Sequence, residues 1–176
     1  QNSKLPVLVV RRRPDDRVGR PWRILYGYDG SESSTAALRV VEQFAWPAET
    51  SVTALAVVEG FSNHQLPDWI VKKARDADTE AMAIVWERSV EEDKRQAKDE
   101  LAAFMAKQSG PFAKAESLVC EGHAAEQILR LVDERQIDWV VLGARGRSML
   151  ERMFLGSTTD RILNQAHCSV LIVRGK

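Results

Sequence analysis

The sequence predicts an α/β fold, a parallel sheet covered by helices on both faces, and three observations carry the prediction. Short β-branched runs alternate with segments whose apolar residues recur at helical spacing. Two runs, Trp139-Val140-Val141-Leu142 and Val170-Leu171-Ile172-Val173, are apolar throughout, as strands buried on both sides are. Asp29-Gly30-Ser31 and Glu121-Gly122 stand where a strand must turn into a helix.

In chain order, Arg23 to Tyr28 is the first strand of the domain, and Asp29-Gly30-Ser31 breaks it. Ser34 to Phe44 follows as a helix, with Ala37, Leu38, Val41 and Phe44 on one face and Pro47 ending it. Ser51 to Val58 is the second strand. Pro67 to Gln108 holds no glycine and no internal proline, which suits two helices or one long bent helix. Trp69, Ile70, Ala74, Ala77, Ala81, Ile84 and Val85 form one stripe there, and Leu101, Phe104 and Met105 another. Residues 60–88 read as an insertion with Phe61 to Leu66 as its irregular lead-in; its Trp69 and Trp86 pack a core or form a lid or partner surface. Ala115 to Cys120 is the third strand, Ala124 to Gln136 a helix, Asp138 to Leu142 the fourth strand, Ser157 to Ala166 the last helix and Ser169 to Arg174 the last strand. Ser157 is expected to cap the last helix, with Asp160 completing an approximate capping box.

The length suits one domain with a substantial core. Net charge is zero, which argues against a dedicated nucleic-acid binder. No apolar run reaches membrane-spanning length and no secretory leader is visible, so the expected location is the cytoplasm. Cys120 and Cys168 are small core residues, or else a disulfide or reactive thiol. No Cys-x-x-Cys and no His pair at helical spacing favours a protein metal site.

Val7-Leu8-Val9-Val10-Arg11 nearly repeats Val170-Leu171-Ile172-Val173-Arg174. Either two β-branched runs resemble each other by chance, or residues 5–11 are the last strand of a preceding like domain in a longer chain. Such a strand needs partners for its N–H and C=O groups, and the edge at 169–174 offers them. Arg12 to Arg20 is then a linker, so residues 1–20 form a strand-like segment plus linker ahead of a domain at 21–176.

Function is most legible in the glycine pattern Gly143-Ala144-Arg145-Gly146, nine residues, then Gly156-Ser157-Thr158. Glycines at a strand end admit a ligand close to the backbone, and a Gly-Ser-Thr helix start offers amides and hydroxyls to an anion. The pattern reads as a phosphate cradle at the carboxyl edge of the sheet, where ligands of open α/β folds bind. Arg145 and Arg147 can reach terminal phosphates. Asp29 faces the cradle if the first and fourth strands are neighbours, as a ribose acceptor or an outer partner of a phosphate-bound cation. Each feature has a plain reading too. The glycines serve turns, Asp29 a turn or cap, the two arginines solvent, and Ser31, Ser33 and Ser34 the start of the first helix. His123 and His167 read as helix-end and loop residues, and His64 has no evident partner. No Gly-Lys-Ser/Thr P-loop, Gly-x-Gly-x-x-Gly turn or Gly-x-Ser-x-Gly elbow is present.

Three blocks resemble the universal stress protein family: Ile24 to Ser31, Glu121 to Leu129, and Asp138 to Arg174. The last, with its Gly-x-x-Gly, nine-residue gap and Gly-Ser, resembles the family's ATP-binding branch. The resemblance implies a Rossmann-like three-layer sandwich with a five-stranded parallel sheet in order 3-2-1-4-5. It implies ATP, with Mg bound mainly through the phosphates. It assigns Asp29 to ribose, the backbone of Val57 to adenine, and Gly143, Gly146, Gly156, Ser157 and Thr158 to phosphate. Gly27, Tyr28, Leu142, Arg145 and Arg147 complete the expected cofactor-binding set. Tyr28 is bulkier than the family's usual residue and would crowd the sugar or stack nearby. The resemblance also implies dimers that pair their last strands, the contact inferred above for residues 5–11.

The leading expectation is therefore an ATP-binding stress-response regulator whose nucleotide switches dimer or partner contacts. A slow Mg-dependent ATP hydrolase is the second reading, although no residue stands out to orient water. A nucleotide-free protein-interaction domain is the third.

Overall fold

The computed structural model describes residues 5–11, 19–58, 77–144 and 156–175, giving most of residues 77–90 by backbone alone. Residues 12–18 of the expected linker at 12–20, the lead-in with His64, and Trp69 lie outside the described residues, as do Arg145, Gly146, Arg147 and the side chain of Trp86.

The elements are β1 (Val7–Val9), β2 (Arg23–Tyr28), α1 (Glu32–Val41), β3 (Ser51–Val58), α2 (Ala77–Met105), β4 (Glu116–Glu121), α3 (Ala124–Glu134), β5 (Trp139–Gly143), α4 (Ser157–Gln165) and β6 (Ser169–Val173). They build one six-stranded sheet in the order β1-β6-β5-β2-β3-β4. β2 through β6 are parallel and reproduce the expected 3-2-1-4-5 order. The sixth strand is β1, which pairs antiparallel with β6 through Val7↔Ile172, Leu8↔Leu171 and Val9↔Val170. Arg11 locks that pairing. Its backbone N–H donates to Ser169 Oγ at 3.1 Å, and its guanidinium donates to the carbonyls of Cys168 and Leu163.

Side-chain alternation splits the core in two. Ile24, Tyr26, Val141 and Leu171 face α1 and α2, where they meet Leu38, Val41, Leu101 and Met105. Leu25, Leu55, Val140 and Ile172 face α3 and α4, where they meet Ile128, Leu131, Val132 and Ile162. All five residues of β6 are buried, as a strand covered on both faces and paired on both edges must be. Both cysteines are free thiols; Cys168 belongs to the second core and Cys120 packs against it.

The long charged stretch contains one continuous helix, α2, of 29 residues, and its stripe of Leu101, Phe104 and Met105 packs as expected. Two local expectations are corrected. α1 ends at Val41, and the next residues tighten into i→i−3 bonds (Phe44 N–H to Val41 O at 3.3 Å), so Phe44 leaves the helix and is 39% exposed. The cap of α4 is Gly156, without a side-chain bond, and Ser157 is already the first helical residue. The expected capping box does not form, and among the described residues no side chain takes the amides at that end.

One contact ties α1 to the sheet. A Cβ placed on Gly143 would lie 2.6 Å from Ser34 N, 2.7 Å from Ser33 C and 2.8 Å from Ser33 Cβ. The first turn of α1 therefore rests on the end of β5 with no room for a side chain. The Tyr26 hydroxyl donates to Ser34 O at 3.0 Å from a fully buried ring, and burial pushes this phenol's pKa upward. After β6, the Gly175 N–H donates to Ser33 Oγ at 3.1 Å.

Helix α3 stops in a different way. Gln136 takes φ +51°, its N–H donates to Asp133 O at 3.3 Å, and the Ile137 N–H donates to Val132 O at 3.0 Å. This is a Schellman stop with a side chain where glycine is favoured.

Two substitutions test these readings by urea denaturation. Gly143→Ala should cost about 1–3 kcal/mol, because backbone rather than a flexible side chain must give way. Gln136→Gly should stabilise by about 0.5–1 kcal/mol, the relief of left-handed strain exceeding the added chain entropy.

Candidate functional site

The strand order reverses between β2 and β5, which pair through Ile24↔Trp139, Leu25↔Val140 and Tyr26↔Val141. Their carboxyl ends form the switch-point crevice of an open α/β sheet. The expected adjacency of the Asp29 and Gly143 exits therefore holds.

On the β2 side, Asp29 is half-buried and its Oδ1 accepts from Ser31 N–H at 2.9 Å. Gly30 follows at φ +75°, and Ser31 caps α1 by accepting from Ser34 N–H at 3.1 Å. Asp29 thus has a turn role, served by one oxygen of its carboxylate. Ser31 is a true cap, whereas Ser33 and Ser34 lie inside the helix and hold it to its surroundings.

On the β5 side, the two chain reversals converge. Ala144 N–H donates to Val173 O at 2.7 Å, Gly156 N–H donates to Ala144 O at 3.0 Å, and Thr159 Oγ1 donates to Gly143 O at 3.2 Å. These bonds seat the start of α4 directly against the end of β5. The N–H groups of Ser157 and Thr158 belong to the first turn, which has no intrahelical acceptors for them, and the helix dipole adds partial positive charge. Ser157 is exposed and Thr158 half-buried.

The remaining predicted residues divide by face. Tyr28 stacks on Phe104 of α2, with centroids 4.7 Å apart and planes at 28°, so its ring is taken up on the α1/α2 face. Leu142 is buried in the opposite core. Its Cδ2 lies 2.6 Å from where a Gly27 Cβ would stand, so Gly27 makes room for Leu142 itself. Val57 is half-buried, packs against the same core and pairs with Cys120. One residue later, Val58 O accepts from Gly122 N–H at 3.0 Å, closing the β3–β4 end.

A feature of this edge carries no signal in the sequence spacing. Lys94 of α2 bridges Glu91 at 2.8 Å and Glu121, the last residue of β4, at 2.9 Å. Its hydrogen bonds to Glu91 and then Glu121 hold its pKa above the usual ammonium value. The pair pins the long helix to the carboxyl edge from a residue 27 positions away, a distance no local periodicity reports. Among the described residues no three His, Cys, Asp or Glu side chains cluster to hold a metal ion, and no helix is long and apolar enough to cross a membrane.

Comparison with known proteins agrees with this architecture. A universal stress protein of Thermus aquaticus is 27% identical over 151 residues, covering 86% of this chain and 97% of its own. The solved structure of the Methanocaldococcus jannaschii protein MJ0577 superposes with TM-score 0.68 at 19% identity, covering 88% of this chain and 96% of that one. A universal stress protein solved in complex with cAMP matches at TM-score 0.51 and 20% identity, over 89% and 98% of the two chains. An Arabidopsis thaliana family member solved with AMP bound matches at TM-score 0.51 and 13% identity, over 89% and 93%. The universal stress protein family model matches residues 22–174, from the strand before the Asp29 turn to the end of the sheet, and the chain belongs to that family.

Proposed function

We propose that this protein is an ATP-binding regulator of the stress response, with the nucleotide at the carboxyl ends of β2 and β5 acting as a switch for dimer or partner contacts. The observation that carries the reading is the Gly156 N–H to Ala144 O bond at 3.0 Å, which brings the start of α4 to the end of β5. In this reading the first-turn amides of Ser157 and Thr158 turn toward the crevice, a disposition suited to phosphate oxygens. The existence of family members solved with AMP and with cAMP supports an adenine nucleotide as the ligand.

In this reading Gly143, Gly146, Gly156, Ser157 and Thr158 surround the phosphates, with Arg145 and Arg147 beside them. Mg enters on the phosphates. The Asp29 oxygen not used by Ser31 accepts from ribose, and the backbone of Val57 meets adenine beyond Gly27. Residues 21–176 are the binding unit, and residues 1–20 supply its edge strand and linker. Self-association follows from the edge. β1 occupies the outer side of β6, so last strands of two copies pair only when β1 withdraws or is exchanged.

Isothermal titration with Mg-ATP should give one saturable site. At a hundredfold excess over Kd the protein should gain about 2.7 kcal/mol of stability. Asp29→Asn keeps an acceptor for Ser31 N–H but removes the charge, so affinity should fall about tenfold with the fold intact. Absence of both heat and thermal shift at millimolar ATP would remove the proposal.

A further inference from the structure

The opposite pole of the sheet carries a second concavity. It lies at the amino ends of β2, β3 and β4, roughly 20 Å along the strands from the carboxyl edge. Its volume is about 940 Å³, within the range of small-molecule sites. Trp46 supplies a flat aromatic wall, fixed by its Nε1–H donating to Val41 O at 2.8 Å and by an edge-on contact with Trp139 at 5.4 Å.

The charged lining is unbalanced. Arg23, Lys114 and Arg135 face a single carboxylate, Glu116. Arg135 spends its charge on that carboxylate through a two-pronged contact, one prong at 3.1 Å, and holds the Glu116 pKa below the usual carboxylate range. Arg23 gives one guanidinium N–H to Arg135 O at 3.0 Å, a neutral partner, while its backbone N–H donates to Asp138 Oδ2 at 3.0 Å, and among the described residues no carboxylate bonds its guanidinium. Among the described residues no carboxylate pairs with Lys114. Two positive charges therefore line the concavity beside the Trp46 ring, a setting that concentrates anions. Thr50 stands in the same wall, 7% exposed, with a buried Oγ1 that has no hydrogen-bond partner among the described residues. A buried unpaired hydroxyl is costly, and a χ1 rotation toward an acceptor in the groove would satisfy it.

We infer that this groove is a second binding site, for a small organic anion with a carboxylate head and a flat apolar body. The head lies between Lys114 and Arg23, and the body lies along Trp46. The site goes beyond the nucleotide reading and does not depend on it, because none of its residues belongs to the carboxyl edge.

Benzoate titrated into the ¹⁵N-labelled full chain tests this. Saturable shifts should appear at the Trp46 indole and at the Thr50 and Lys114 amides, with a Kd at or below about 10 mM. Lys114→Ala, an exposed change that spares the fold, should weaken binding at least about threefold. Thr50→Val should raise the melting temperature while weakening benzoate binding. Benzyl alcohol should fail to saturate, and saturating Mg-ATP should leave the benzoate isotherm unchanged. No saturable shift, equal response to benzyl alcohol, binding only of inorganic phosphate, or competition by ATP would each overturn the inference. Loss of ATP binding alone would leave it standing.

Discussion

The structure depends on one close approach, the first turn of α1 lying on the bare Cα of Gly143. Backbone atoms of Ser33 and Ser34 occupy the space a side chain would need. From this contact the geometry of the carboxyl edge follows. At the same corner Asp29 Oδ1 accepts from Ser31 N–H as the chain leaves β2, and Ser31 caps the helix that lies on Gly143. It also places Gly175 where its N–H reaches Ser33, so the end of β6 joins the same knot. Tyr26 closes the knot from within the core, its hydroxyl committed to Ser34 O. Three strand exits are thus held together by contacts that a single Cβ would disturb.

Among the described residues, what this edge offers is mostly main chain. Its described side chains are engaged elsewhere: Tyr28 with Phe104, Leu142 with the core, Lys94 with Glu91 and Glu121. The start of α4, by contrast, has no side-chain cap, and its Ser157 is exposed. Recognition through amides suits phosphate, which needs donors in a fixed array more than any particular side chain. The amino edge differs in kind, since its lining is charged and aromatic side chains on a groove between strand ends. The sheet therefore has two chemically distinct poles, and β1 closes the lateral edge between them.

The order of the elements was legible because each strand here is marked by composition. Arg23–Tyr28 and Ser51–Val58 lie where the β-branched runs and turn residues place them. The antiparallel seat of residues 7–9 on β6 was legible from the near repeat of Val7–Arg11 and Val170–Arg174. Helix ends were less so. Phe44 keeps helical spacing in sequence yet leaves α1, because the chain must tighten before Pro47. Ser157 has the residue type of a cap but sits one position too late, since Gly156 is what bonds to Ala144. The glycine pattern has packing reasons of its own at this edge. Gly143 is required by α1 as well as by any ligand, and Gly27 by Leu142. Such tertiary needs, like the Lys94–Glu121 pair, join residues far apart in the chain and leave no periodic trace.

The central claim is that main-chain amides at the ends of β5 and α4 hold an adenine nucleotide's phosphates. Mapping backbone amide shifts while Mg-ATP is added to the ¹⁵N-labelled protein tests it most directly. The account predicts the largest saturable changes at Gly143, Gly156, Ser157 and Thr158, with smaller ones at Asp29 and Val57. Saturable changes confined to the amino pole, or none at these amides, would contradict it.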